Sequence, residues 1–381
     1  MDFNFTEEQT LLRNSVQRYL ADNYKFEDWR KFTRSEAGRD PKHWAQFAEL
    51  GLLAAPIPEE HGGLGGDALS SLIIMEEFGG ALVIEPYIPT VVIGGGFLNY
   101  GGSDALKGEW LPKIAGGETI MAFAFAESSG RFNLADLTTT AKKQGANFIL
   151  NGQKAVVIGA PWADQLIVTA RTSGGRRDSK GISVFLVDKK TRDVSTRDYP
   201  TVDSTRASEI TFENVEVPAS RLIGELDNGL PLIERVIDDA IAAHSAEATG
   251  AMKMLVDATV EYSKTRKQFG VPIGKFQALQ HRMVDMFVNH QQSISITLMV
   301  TLKLGESEVE RKMAASAAKA HIGKAGAFVG QSAVQIHGGM GMTDELNVGH
   351  YFKRLTTIDT LYGNVDHHLR RYATLDRSKA A

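Results

Sequence analysis

Tyr262-Ser-Lys-Thr-Arg266-Lys267-Gln268-Phe269-Gly270-Val-Pro272-Ile273-Gly274-Lys-Phe276-Gln277-Ala-Leu279-Gln280-His281-Arg-Met-Val-Asp285-Met286 is the stretch that decides how this chain folds. A long helical pattern enters it, the chain turns at Gly270–Gly274, and a second helical pattern leaves. Pro272 fixes φ and lacks an N–H, and the glycines accept angles that other residues avoid. The spacing predicts a helical hairpin whose tip carries Arg266, Gln268, Phe269 and Gln277. One permanent cation, two amides and one ring suit a flat, phosphate-bearing aromatic ligand, with Arg clamping phosphate and the ring stacking. The same residues read equally well as a plain helix–helix turn with solvated charges.

Upstream of the tip, Ile233, Val236, Ile237, Ala240, Ile241, His244, Ala248, Ala251, Leu255, Thr259 and Tyr262 recur at three- and four-residue steps. At 1.5 Å per residue this predicts a helix roughly 50 Å long, which needs partners along its flanks, so a bundle follows. His281–Leu304 and Ala314–Gln335 read as two further members, the second rich in Ala and Gly. Gln335-Ile336-His-Gly338-Gly339-Met-Gly341 ends it. Asn347–Ile358 is another helix, and Asp359-Thr-Leu-Tyr362-Gly363-Asn leads to the last.

Before the bundle lie short apolar or alternating runs: Ile120–Ala126, Phe148–Leu150, Ala155–Ile158, Leu166–Val168, Ile182–Val187 and Glu209–Phe212. They are separated by turn residues, and Asn151-Gly152 carries the clearest hairpin signal. Strands this close, without intervening helices, predict an antiparallel barrel or sandwich, closed by Pro218. The first segment reads as helical, starting from a capping box at Thr6-Glu-Glu-Gln9. The Gly62-Gly63-Leu-Gly65-Gly66 loop follows no strand and is a weak phosphate-loop signal. The expected architecture is α+β and mostly α: a helical domain over residues 1–117, a β-barrel domain over 118–225, and a four-helix-type bundle over 226–381.

Composition narrows the functional classes. The chain has 381 residues, 43% hydrophobic and 23% charged, with a net charge of -4. That gives no basic field for nucleic acid. With 0 cysteines, disulfides, thiol nucleophiles and Cys-rich zinc sites are excluded. The adjacent His367-His368 lack zinc-ligand spacing. No Gly-x-Ser-x-Gly elbow occurs. The start Met1-Asp-Phe-Asn-Phe-Thr has no targeting pattern, and the most apolar region, Leu72–Leu98, is broken by Glu76, Glu77, Glu85, Pro86 and Pro89. A cytoplasmic protein outside the membrane is expected.

The domain order, Arg266-x-x-Phe269-Gly270 with Gln277 downstream, and Gln335-x-x-Gly338-Gly339-x-Gly341 together resemble the acyl-CoA dehydrogenase family over essentially the whole chain. The pattern looks closest to the small subunit of pimeloyl-CoA-dehydrogenase-like, two-chain enzymes. The resemblance implies FAD, an acyl-CoA substrate, oligomerisation through the bundle and an electron-transfer flavoprotein as acceptor. The family's reaction removes a proton at Cα and a hydride at Cβ. Pimeloyl, other dicarboxylyl, steroid side-chain and aromatic acyl groups all stay open.

By resemblance, Arg266, Gln268, Phe269, Gln277, Gln335, Ile336, Gly338 and Gly339 are contacts to the pyrophosphate and adenosine end of a neighbouring chain's FAD. The other half departs from the family. Its flavin-ring loop reads Ala126-Glu127-Ser128-Ser129-Gly130-Arg131-Phe132-Asn133, with a ring at Phe132 where a hydroxyl is expected. Gln153-Lys154 leads into Ala155-Val156-Val157-Ile158, without the family's Trp and hydroxyl. Tyr362 stands where the family's most common base, a Glu, is expected, and a phenol near its usual pKa of about 10 is a poor base at neutral pH. Some members carry that Glu on the long helix, where Ala240 stands here; Asp239 beside it is a weak candidate, read more readily as a solvated helix charge. The expectation is a non-catalytic half of a heteromeric dehydrogenase, a heterotetramer with a second dehydrogenase-like chain. The alternatives are a self-sufficient homomer using an acid such as Asp239, and a flavin-free scaffold.

Overall fold

The computed structural model describes residues 5–380, with side chains to 377. Met1–Asn4, read above for a targeting signal, lie outside the described residues. The chain forms two compact units, each built from separated segments: residues up to 31, 68–83 and 241–381 in one, and 32–67 with 84–240 in the other.

The N-terminal part is helical: α1 Glu7–Asn23, α2 Phe26–Thr33, α3 Pro41–Glu49, α4 Ala68–Ala81, α5 Gly95–Gly101 and α6 Asp104–Ala115. The capping box at α1 is present, with Gln9 N–H donating to Thr6 Oγ1 (3.2 Å) and Thr6 N–H to Gln9 Oε1 (3.1 Å). Asp40 caps α3 ahead of Pro41, and Ser103 caps α6. The segment before α5, Ile88–Gly94, is a π-helical turn rather than regular α-helix. The short α2 has no counterpart among the signals read from the sequence.

The middle strands are β1 Met121–Ala124, β2 Thr140–Gln144, β3 Asn147–Ile158, β4 Gln165–Arg171, β5 Ile182–Asp188, β6 Val194–Pro200, β7 Arg206–Pro218 and β8 Leu222–Ile223. They join in the order β6-β7-β3-β2-β4-β5-β8, with β1 beside β4. Two expectations need correction. The sheet is mixed, not antiparallel throughout, because β1 and β2 both meet β4 in parallel; no hairpin links those strands, so no local turn sets their direction. Asn151-Gly152 is not a hairpin turn but lies inside β3. The turn is Gly145-Ala146, between the paired residues Gln144 and Asn147. Gly152 instead sits at a register shift of β3 against β7. Its φ is +148°, and a Cβ there would come within 2.5 Å of Thr139 Cα. Asn151 accepts from Asn214 N–H (2.9 Å) across this bulge, replacing a ladder bond.

The C-terminal part holds α7 Leu230–Thr265, the two-residue strands β9 Lys267–Gln268 and β10 Val271–Pro272, then α8 Gln277–Lys303, α9 Glu308–His337, α10 Val348–Thr360 and α11 Val365–Ala380. Within the first unit, α4 crosses α7 backbone to backbone. A Cβ on Gly79 would lie 1.9 Å from Glu247 O, and one on Gly250 1.8 Å from Glu76 O. Only two glycines facing each other permit that approach. No described helix is long and apolar enough to cross a membrane.

Gly79→Ala therefore forces the two helices apart and lowers stability by about 1–3 kcal/mol in urea unfolding. Gly108→Ala, in α6 with open space around its Cβ, gains about 0.8–1 kcal/mol from helix propensity.

Candidate functional site

The tip is a β-hairpin joining two helices, a sharper device than the helical corner expected from the sequence. Lys267 pairs with Pro272 and Gln268 with Val271. Phe269-Gly270 make the two-residue turn with φ of +53° and +81°, the all-positive turn that a tight hairpin favours. Ile273 N–H donates to Arg266 O (2.8 Å). The turn thrusts Phe269 outward, 91% exposed, edge-on to Phe276. Arg266, Gln268 and Gln277 are exposed, and among the described residues the Arg266 guanidinium has no ion pair.

The Gln335 loop comes from α9, yet it meets the base of this hairpin. Tyr262 stacks on His337 with ring centroids 4.4 Å apart and donates to His337 O (3.4 Å). Gln335, Gly338 and Gly339 are exposed, whereas Ile336 is buried. Gly338 ends α9 at φ +59°, and nothing lies within 4 Å of a Cβ built on Gly338 or Gly339. Backbone, an unpaired cation, three amides and one ring held clear of the core fit a pyrophosphate and a stacking adenine. The adenosine end of FAD matches these residues.

The expected flavin-ring side, in the second unit, does not fit in the same way. Glu127 is turned inward. Its carboxylate accepts from Thr138 N–H (2.7 Å), Thr139 N–H (3.0 Å) and the Thr138 hydroxyl, and from Lys154 Nζ (2.9 Å), itself fully buried. Burial alone would raise the Glu127 pKa; the Lys154 charge and the Thr138 bonds outweigh it and hold it at about 2. Arg171 fastens the same loop by donating to Ala135 O, and joins it to the β4–β5 connection by donating to the carbonyls of Arg176, Asp178 and Lys180. Val156, at the second register shift of β3, is β-branched with φ +52°. Neither Phe132 nor Val156 nor Ile158 offers a side-chain donor.

Asp239 sits in the second unit. Its Oδ1 lies 3.3 Å from Arg235 Nη2, and Arg235 also donates to the Tyr100 hydroxyl (2.8 Å). Its charge is engaged in an ion pair rather than freely solvated. In the first unit, Tyr362 is a bulky residue at φ +57°, an outlier that persists only where the surroundings over-determine it. Lys319 Nζ donates to Asp359 O (2.8 Å) and Gly363 O (2.6 Å), and His368 donates from Nε2 to Tyr362 O (3.1 Å). Burial pushes the Tyr362 phenol well above its usual range.

A buried cluster that the sequence reading missed stands beside this turn. Arg354 donates to both oxygens of Glu247 (2.6 and 2.9 Å), and His244 Nδ1 lies 2.9 Å from Glu247 Oε2. The His244 ring is 5.9 Å from that of Tyr362. Burial opposes the Glu247 charge, but Arg354 and His244 outweigh it and hold the pKa at about 2. The available signal was Glu247 interrupting the apolar stripe of α7 three residues after His244. No group of three or more His, Cys, Asp or Glu suited to a metal occurs among the described residues.

Both buried carboxylates have folded pKa values below the ordinary 4.5, so they add stability above that value and lose it as pH falls towards 2. Urea midpoints are expected to drop steeply from pH 4.5 to 2. Lys154→Met, which strands Glu127, is expected to cost about 3–5 kcal/mol at neutral pH.

Three domain models of one protein family match the chain in order. "Acyl-CoA dehydrogenase, N-terminal domain" matches residues 6–118, the middle domain 122–215 and the C-terminal domain 227–374. The 3-(aryl)acrylate reductase of Clostridium sporogenes is 32% identical over 82% of this chain and 84% of its own. Among solved structures, the FAD complex of PigA covers 100% of both chains at 25% identity and TM-score 0.92. The ChsE4-ChsE5 complex from Mycobacterium tuberculosis covers 100% of this chain and 99% of the matched one at 26% identity and TM-score 0.89. FAD is the cofactor of this family. With all three of its domains matched in order, the chain belongs to the acyl-CoA dehydrogenase family.

Proposed function

We propose that this chain is one subunit of a two-chain, FAD-dependent acyl-CoA dehydrogenase, and that it completes the FAD site of its partner without itself carrying out the oxidation. The observation that carries the reading is Tyr362. Where the resemblance expects a carboxylate base there is a phenol, locked in a strained turn, whose pKa burial raises further. A general base works best with a pKa near the operating pH, which this phenol is far from. The engaged Asp239 counts against a self-sufficient homomer, and the exposed Arg266 and Phe269 count against a flavin-free scaffold. Relatives such as the ChsE4-ChsE5 complex support a two-chain arrangement. The kinship with pimeloyl-type small subunits, a heterotetramer, and electron-transfer flavoprotein as acceptor belong to the same proposal.

Arg266, Gln268, Phe269, Gln277, Gln335 and the Gly338-Gly339 backbone would hold pyrophosphate and adenosine, while Ile336 is buried and offers backbone only. The cofactor when bound supplies the hydride acceptor; this chain's part is to bind and orient it.

The test is flavin released per chain, with assembly mass read in parallel. Little FAD alone, and one FAD for every two chains after co-expression with its dehydrogenase-like partner, is the expected result; one FAD per chain alone, with turnover, would falsify the reading. Arg266→Ala in the assembled complex is expected to weaken FAD retention by about tenfold or more, since a charge-assisted bond contributes about 1.5–3 kcal/mol.

A further inference from the structure

The first unit contains a second arrangement that the adenosine contacts do not use. The His244 side chain is almost fully buried, and among the described residues its only hydrogen bond is from Nδ1 to Glu247. Glu247 is ionised, so it can only accept, and Nδ1 must carry the proton. In a neutral imidazole that leaves the lone pair on Nε2, without a partner. Glu247 is itself fixed by the bidentate Arg354. A base oriented by a carboxylate, which is in turn oriented by a third group, is the general form of an activated proton acceptor. It stands next to the strained Tyr362 turn, and backbone strain of this kind concentrates at functional sites.

We propose that His244 is the proton acceptor of this chain's own site, with Glu247 and Arg354 as positioning residues, and that it exchanges the α-proton of a CoA thioester with solvent. The proposal rests on the reading above only in taking an acyl-CoA as ligand. The Cα–H bond breaks, an N–H bond forms at Nε2, and the electron pair moves into the thioester carbonyl to give an enolate. The imidazolium trades its proton with water, and a solvent proton returns to Cα. No electrons are transferred and no reactant beyond water is consumed.

The groups facing His244 are Glu247 on α7, Lys319 on α9, Arg354 on α10 and Tyr362 after α10. Burial, with Arg354 and Lys319, lowers the imidazole pKa, and Glu247 only partly opposes them. The imidazole is therefore neutral, and active, from below its ordinary 6.5 upward. Exchange should rise at acidic pH and be level by neutrality, whereas a phenol base would keep climbing above pH 8.

The experiment incubates the full chain, alone and in complex, with butyryl-CoA in D2O and reads deuterium at Cα by mass spectrometry, with acyl-CoA affinity and thermal stability measured alongside. His244→Gln, which keeps a bond to Glu247 but cannot act as the base, is expected to slow exchange about 100-fold or more at unchanged affinity. Tyr362→Phe should leave it within a few-fold. Glu247→Gln should shift the acid limb lower; Arg354→Met with Glu247→Gln serves if an uncompensated Arg354 unfolds the single variant. Undiminished exchange in His244→Gln, no exchange by wild type that binds the thioester, or no binding at all would each overturn the proposal. None of these results alters the flavin stoichiometry, which tests the partner reading separately.

Discussion

Glu247 is the point on which the first unit depends. Its backbone carbonyl is one of the two points where α4 and α7 meet backbone to backbone, here against Gly79. Its side chain is where α10 attaches, through Arg354. The ionised carboxylate is buried, so each of its bonds is obligatory: a partner removed leaves a charge without solvent. One residue therefore sets the spacing of one helix pair and the rotation of another. It also sets the tautomer of His244, because an acceptor-only group can bond to Nδ1 only when Nδ1 is protonated.

The two chemically loaded parts of this unit are built in opposite ways. At the hairpin tip, Arg266 and Phe269 are held away from the core and face solvent. Around Tyr362 the cations are spent internally, Arg354 on Glu247 and Lys319 on the Asp359 and Gly363 carbonyls. An exposed cation beside an exposed ring is free to bind; a buried network orients the side chains it contains. The second unit repeats the internal pattern at Glu127 and Lys154, which tie the loop before β2 to the middle of β3.

Much of this was legible in the chain itself. The capping box at Thr6, the apolar stripe of α7 and the small residues of α9 are local signals, each decided by neighbours within one or two turns, and the structure follows them. The Arg266–Gly270 and Gln335–Gly341 motifs carried the family. Asn151-Gly152 misled because the same dipeptide serves a tight turn and a bulge, and only pairing with β7 chooses between them. The parallel pairing of β1 and β4 spans too much chain for any local signal to set.

Sequence alone determined where the long helices and most strands form, which residues make the exposed tip, and that position 362 carries no carboxylate, because spacing and side-chain chemistry are properties of the chain. Only the tertiary structure decided that Tyr262 stacks on His337 to unite two distant motifs, that Asp239 is engaged by Arg235, and that His244, Glu247 and Arg354 form one buried network. Each of those depends on which helix face meets which, and in a chain folded from separated segments that is settled by packing across long stretches of sequence rather than by neighbours along it.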